Sequence, residues 1–137
     1  MIDLKKIVKD PRLEKTLISL CSSAIQLSKE ISLSDSEGNH RLLVGTNSDG
    51  DGQKQLDVIA DDIFCTSLKD AGVGFYASEE RETIEMLNKE GDLGVAIDPL
   101  DGSSNIDCNV SIGTIFSIKK IQNKKYPEED FFLLGDY

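Results

Sequence analysis

An apolar run, Gly94-Val95-Ala96-Ile97, meets Asp98-Pro99 and then Leu100-Asp101-Gly102-Ser103-Ser104-Asn105-Ile106-Asp107. The run reads as a short buried strand. Proline donates no hydrogen bond to a ladder, so the strand is expected to end there and turn. That leaves Asp98 and Asp101 side by side at its end. Gly102 permits a tight backbone, and Ser103 and Ser104 can open a helix with free N–H groups. Hard carboxylate oxygens beside backbone donors suit a divalent cation with a phosphate bridged to it. A surface turn also collects Asp, Gly and Ser, and Asp98 to Gly102 alone fits either reading. The Ser-Ser-Asn-Ile-Asp extension and a further acidic cluster upstream favour the site.

The cluster comprises Asp51, Asp57, Glu79, Glu80, Asp98 and Asp101, from three segments that each lie at a strand or helix end. Rigid elements position side chains there while loops give access. The formal net charge of −10 disfavours nucleic acid and anionic membranes as partners. It also constrains any phosphate ligand: a carboxylate 4 Å from a phosphate costs about 4 kcal/mol at an effective dielectric near 20. Cations must stand between the two. Asp61, Asp62, Glu82 and Glu85 are expected to be solvated surface.

Three blocks carry a resemblance: residues 50–62 (Gly-Asp-Gly-Gln-Lys-Gln-Leu-Asp-Val-Ile-Ala-Asp-Asp), Ala77-Ser78-Glu79-Glu80, and Asp98 to Asp107 followed by Val110 to Ile118. In order and spacing they resemble the class I fructose-1,6-bisphosphatases, within the superfamily of metal-dependent, lithium-sensitive sugar and inositol phosphatases. The superfamily shares the looser Asp-Pro-(Leu/Ile)-Asp-Gly-(Ser/Thr)-x-Asn. The serine pair with Asn-Ile-Asp favours the fructose bisphosphatase branch over a related sugar or inositol phosphatase.

The resemblance implies hydrolysis of the 1-phosphate of fructose 1,6-bisphosphate to fructose 6-phosphate, a step of gluconeogenesis, by a cytoplasmic homo-oligomer, a tetramer in the family. It implies Mg²⁺, with Mn²⁺ as a substitute. Glu79 and Asp98 match carboxylates that bridge metals, and Asp101 and the Leu100 carbonyl match single-metal ligands. Asp51 matches a carboxylate near a more weakly held cation. Asp57 and Glu80 match the pair that orients and deprotonates water. Asp101, Gly102, Ser103 and Ser104 match contacts to substrate, the last three through amides and hydroxyls that hold the 1-phosphate.

Family members continue past the point corresponding to Tyr137, and that part normally supplies another ligating glutamate and the 6-phosphate clamp. Residues 1–137 therefore read as the N-terminal metal-binding portion, weak or inactive alone; a non-catalytic metal-binding fragment is the alternative. AMP control in the family uses a Gly-Glu-Met-type helix start and a basic-aromatic pair before the Asp-Pro strand. Here Asp92 and Leu93 stand there, so that control is not expected.

The remaining pattern is α+β: helices layered on a mixed, largely antiparallel sheet. Asp10-Pro11 starts a helix whose Leu13, Leu17, Leu20, Ala24, Leu27 and Ile31 form one apolar face. Residues 34–52 read as a mobile loop holding His40, the one histidine. A second helix fits 53–69 and a strand 73–77. Residues 82–89 could form a helical turn or two. Val110 to Ile118 alternate as a strand, residues 122–130 read as a charged loop, and Phe131 to Leu134 as a hairpin strand.

Cys21, Cys65 and Cys108 lack metal or disulfide spacing and read as buried, reduced thiols of a cytosolic protein. No apolar run is long enough to span a bilayer, and no signal-peptide pattern opens the chain. A calcium-binding reading of Asn47-Ser48-Asp49-Gly50-Asp51-Gly52 fails at its twelfth position, which is Val58 where a bidentate Glu is needed.

Overall fold

The computed structural model describes the backbone of residues 4–36, 51–108 and 111–132, and the side chains of 6–32, 56–105 and 111–131. A short helix α1 (Leu4–Ile7) precedes α2 (Pro11–Ser36) and α3 (Asp51–Ala71). Strands β1 (Phe75–Ser78), β2 (Glu85–Met86) and β3 (Leu93–Asp101) follow, then a 3-10 turn (Ser103–Cys108), β4 (Gly113–Lys120) and α4 (Pro127–Phe132). The sheet order is β2-β1-β3-β4. β1 runs parallel to β3, and the other two pairings are antiparallel. The expected α+β layering on a mixed sheet is the observed one.

Helix α2 begins as its sequence dictates. Asp10 Oδ1 accepts the Arg12 N–H at 2.9 Å, and the Asp10 carbonyl accepts that of Glu14 at 3.0 Å. Arg12 Nη1 then reaches both Asp92 oxygens at 2.6 Å, tying the helix start to the entrance of β3. Leu20 and Leu27 are buried, Leu13, Leu17 and Ile31 half-buried, and Ala24 exposed. Leu20, Leu27 and Ile31 share one core cluster with Leu56, Ala60, Phe64 and Leu68 of α3, and that layer covers Tyr76, Val95, Ile97 and Leu100 of the sheet. Each fully buried apolar side chain contributes about 1.5–3 kcal/mol. On the opposite face a side chain at Gly94 would collide with Ile121 and Phe131, so glycine lets these two lie against the strand.

Several expectations are corrected. Strand β3 does not stop at Pro99 but runs on to Asp101. It can do so because β1 pairs only as far as Ile97, and the β3–β4 register shifts between Asp98 and Asp101. The proline's missing N–H falls in that irregularity, where no ladder bond is lost. Residues 82–89 hold the short strand β2 rather than a helix, held by Leu87 N–H donating to the Gly74 carbonyl at 2.8 Å. Residues 127–132, expected as the end of a charged loop and the start of a hairpin strand, form α4 instead, and residues 133 and 134 of that expected strand lie outside the described residues. Pro127 opens that helix, and Asp130 accepts the N–H groups of Gln122 and Asn123.

Helix α2 extends to Ser36 and α3 starts at Asp51, so both ends of the expected loop are helical. His40 and Val110 lie outside the described residues. The helix from Asp51 also removes the calcium-loop reading, which would need loop backbone through residue 58. Cys21 is exposed and Cys65 half-buried, against the expectation of buried thiols; the side chain of Cys108 lies outside the described residues. In β4, Ile112 just before it and Thr114 and Ile118 within it are half-buried, but Phe116 is 43% exposed because β4 is an edge of the described sheet. No described helix is long and apolar enough to cross a membrane.

Candidate active site

Three elements bring the acids together. Parallel pairing of β1 with β3 puts Ser78 beside Ile97, and the Glu79 N–H donates to the Ile97 carbonyl at 3.0 Å. The next residue on each strand is thus an acid, Glu79 on one and Asp98 on the other. Their carboxyl groups lie within hydrogen-bonding reach, and Glu79 is pushed above the usual carboxylate range by that bond and by the Asp98 charge. Slight desolvation and the charges of Glu80 and Asp101 add to the shift. Asp98 Oδ1 accepts the Leu100 N–H at 3.1 Å, which holds the bulge at Pro99, and the Leu100 side chain is buried in the core. The Thr114 hydroxyl donates to the Pro99 carbonyl at 3.0 Å and pins the same bulge to β4.

Asp57 comes from α3, one residue past the buried Leu56. Its carboxyl is also raised, by desolvation first and by the Asp98 charge, against a lowering bond from Ser103. That bond is long: the Ser103 hydroxyl donates to Asp57 Oδ2 at 3.4 Å. The other oxygen, Oδ1, is buried with no hydrogen-bond partner among the described residues. A buried acceptor left unmatched costs about 1–3 kcal/mol, so a group donating into this spot would be stabilised. Glu80 is raised by burial and then by the charges of Asp57, Asp61 and Asp98.

Gly102 adopts φ +78°, a left-handed conformation that glycine takes without strain. A Cβ there would approach the Asn105 amide at 3.2 Å and the Ser111 carbonyl at 3.4 Å. The turn closes through the Asn105 N–H donating to the Gly102 carbonyl at 2.8 Å. It places Ser103 beside Asp57 and leaves Ser104 exposed.

Five of the predicted acids, Asp57, Glu79, Glu80, Asp98 and Asp101, thus influence one another electrostatically. Asp51 opens α3, but its side chain lies outside the described residues. Among the described residues, no three His, Cys, Asp or Glu side chains already converge on one ion-sized point. The adjoining Glu79–Asp98 pair nonetheless concentrates negative charge that a hard cation would relieve, and Asp57 Oδ1 stays unmatched nearby on α3. Glu79 is exposed, so its carboxylate can swing onto such an ion.

One expectation about surface acids is wrong. Asp61 is only 5% exposed. Its Oδ1 accepts the Tyr76 hydroxyl at 2.9 Å and its Oδ2 the Arg81 Nε at 2.6 Å. Arg81 also pairs with Glu85 and lies over the Tyr76 ring. The signal was present in the spacing: Asp61 follows Asp57 by four residues, on the helix face that Leu56, Ala60 and Phe64 bury. Asp62, at 72% side-chain exposure, is surface as expected.

The N-terminal domain model of fructose-1-6-bisphosphatase matches residues 8–136. A class 1 fructose-1,6-bisphosphatase of Paracoccus denitrificans is 73% identical over 75 residues, covering 55% of this chain and 23% of that protein. One from Cereibacter sphaeroides is 48% identical over 123 residues, covering 90% of this chain and 36% of that protein. The chain therefore spans about a third or less of the length of these relatives. The holo form of Leishmania major fructose-1,6-bisphosphatase superposes with a TM-score of 0.73 at 31% identity, over 88% of this chain and 38% of that one. With a family model matched from residue 8 to 136, the chain belongs to the class 1 fructose-1,6-bisphosphatases and corresponds to their N-terminal domain.

Proposed function

We propose that this chain supplies the acidic half of a Mg²⁺-dependent phosphomonoesterase site that takes the 1-phosphate of fructose 1,6-bisphosphate. The observation that carries the reading is the approach of Asp57, Glu79, Glu80, Asp98 and Asp101 from three elements, with a buried unmatched oxygen on Asp57. Glu79, Asp98, Asp101 and the Leu100 carbonyl would hold Mg²⁺ or Mn²⁺, with Asp51 near a weaker ion. When bound, such ions neutralise phosphoryl and leaving-group charge and make coordinated water more acidic.

The chain's own residues do the rest. Asp57 and Glu80 accept a proton from the attacking water, and raised carboxyl basicity suits them to that task near neutral pH. The water oxygen bonds to phosphorus as the bond from phosphorus to the sugar oxygen breaks, and the departing oxygen takes up a proton. The Gly102–Ser104 turn offers N–H and hydroxyl donors to the phosphoryl oxygens. The reading extends to a cytoplasmic, homo-oligomeric enzyme.

The test is metal-dependent stability. Mg²⁺ or Mn²⁺ should raise the melting temperature, by about 2.7 kcal/mol of stabilisation at a hundred times Kd, and Asp98→Asn should abolish most of the rise. Equal shifts in both proteins would remove the site. In a longer form, faster turnover of inositol monophosphate than of the bisphosphate would move the substrate to the sister branch.

A further inference from the structure

We infer that Arg81 is a positioning residue for the Glu79–Glu80 turn. Clamped by the buried Asp61 carboxylate and stacked on Tyr76, it fastens that turn to α3. It thereby sets where Glu79 and Glu80 stand relative to Asp57. The inference deepens the reading of the acidic cluster as a cation and water site and rests on it.

The connections form a closed path. Asp61 lies one helical turn beyond Asp57 on α3, and both its oxygens are engaged, by the Tyr76 hydroxyl at 2.9 Å and Arg81 Nε at 2.6 Å. Tyr76 is fully buried on β1, three residues before Glu79. The Arg81 guanidinium sits 5.4 Å from the centre of the Tyr76 ring, and Nη1 reaches Glu85 at 2.6 Å. Its backbone closes the turn: the Arg81 N–H donates to the Ser78 carbonyl at 3.2 Å, and the Glu80 N–H to Ser78 Oγ at 3.2 Å. The two carboxylates therefore ride on a two-residue turn anchored at both ends. Without the anchor, repulsion from Asp98 and Asp101 would drive Glu79 outward.

A guanidinium suits this task where an ammonium does not. Its planar fork serves Asp61 and Glu85 together while its face lies on the ring. Its charge also works against the site it supports, since a positive group near a cation site weakens cation binding. Geometry and charge therefore predict opposite signs on removal of Arg81, which separates positioning from electrostatics.

The experiment measures Mn²⁺ affinity of the whole chain by the electron paramagnetic resonance signal of free Mn²⁺, well below each variant's melting temperature. Positioning predicts that Arg81→Gln and Arg81→Lys each weaken binding about tenfold, the scale of lost support around metal ligands. Tyr76→Phe changes no charge and little shape, and should weaken binding about threefold, the scale of one lost hydrogen bond. Binding by Arg81→Gln as tight as or tighter than wild type, with Arg81→Lys unchanged, overturns the inference. If the arginine variants fail to fold, unchanged affinity in Tyr76→Phe overturns it instead. Asp98→Asn is the separate control. Unaltered Mn²⁺ binding there brings down the site reading itself, whereas lost binding there with intact binding in Arg81→Gln brings down the positioning role alone.

Discussion

Gly91→Ala should be among the most damaging small changes in this fold. A methyl at Gly91 would stand 2.6 Å from the Gly72 carbonyl oxygen and the Gly74 nitrogen, and 2.7 Å from the Gly74 Cα. Every one of those atoms is backbone, so no side chain can rotate away. The two segments would have to part by about 0.8 Å to restore ordinary contact. Three bonds lie at the crossing: Gly74 N–H to the Leu93 carbonyl at 2.8 Å, Leu87 N–H to the Gly74 carbonyl at 2.8 Å, and Gly91 N–H to the Asn88 carbonyl at 3.2 Å. Overpacking costs about 1–3 kcal/mol, and two weakened bonds add about 1 kcal/mol each. The stiffer unfolded chain returns about 0.4–1 kcal/mol. The net is about 2–4.6 kcal/mol. With 137 residues at about 2.1 cal/mol/K each, the melting temperature should fall by about 7–16 °C. Circular dichroism melts would measure it, with Gly113→Ala as control, since a Cβ there meets nothing within 4 Å. A Gly91→Ala melt within about 3 °C of wild type would refute the steric reasoning.

Asp10 should titrate at about 2, held down by the Arg12 side chain and then by its N–H. Its folded value is depressed, so the cap stabilises the fold above the unfolded carboxyl value near 4 and loses that contribution as pH falls through about 2. Carboxyl carbon NMR should place the midpoint there and Arg12→Gln should raise it; an ordinary midpoint in wild type contradicts the geometry. In a longer, active form, Glu80→Gln should leave Mn²⁺ affinity nearly unchanged while turnover falls by about 10²–10⁴-fold. Full activity in that variant removes Glu80 from water activation. Edge strand β4 carries Ile115 at 60% and Phe116 at 43% exposure, so sedimentation should show concentration-dependent self-association. Ile115→Lys with Phe116→Glu should suppress it, and a wild-type monomer at every concentration would contradict the expectation.

The two long helices and the site-bearing strands were legible because their signals are local. Asp10-Pro11 marks a helix start by chemistry that needs no tertiary partner, and Leu20 and Leu27 keep the helical period. What failed depended on neighbours. Pro99 reads as a strand end unless one knows that β1 stops opposite Ile97 and that β4 slips register beside it. Glu85–Met86 has no strand pattern of its own and is extended because β1 offers an edge. Phe131 joined an apolar run that reads as a strand, but Pro127 begins a helix that carries it toward Gly94. At the site, motif spacing named the acids, while the buried environment of Asp61 came from a tyrosine and an arginine 15 and 20 residues away. Charge alone cannot distinguish that carboxylate from its neighbour Asp62.

The sheet register also bears on the order in which the molecule can assemble. Phe75 of β1 faces Gly94 of β3, nineteen residues on, and Asp98 faces Ile115, seventeen on. Loops of that length close at modest entropic cost. The partners of Ser19 on α2, by contrast, lie 48 residues downstream at Ser67. Short closures favour early formation, so the strands that bear Glu79, Glu80, Asp98 and Asp101 can zip together and take up α3 before α2 docks. Hydrogen exchange should then protect Val95 and Ile118 amides earlier in refolding than Ser23 or Leu27.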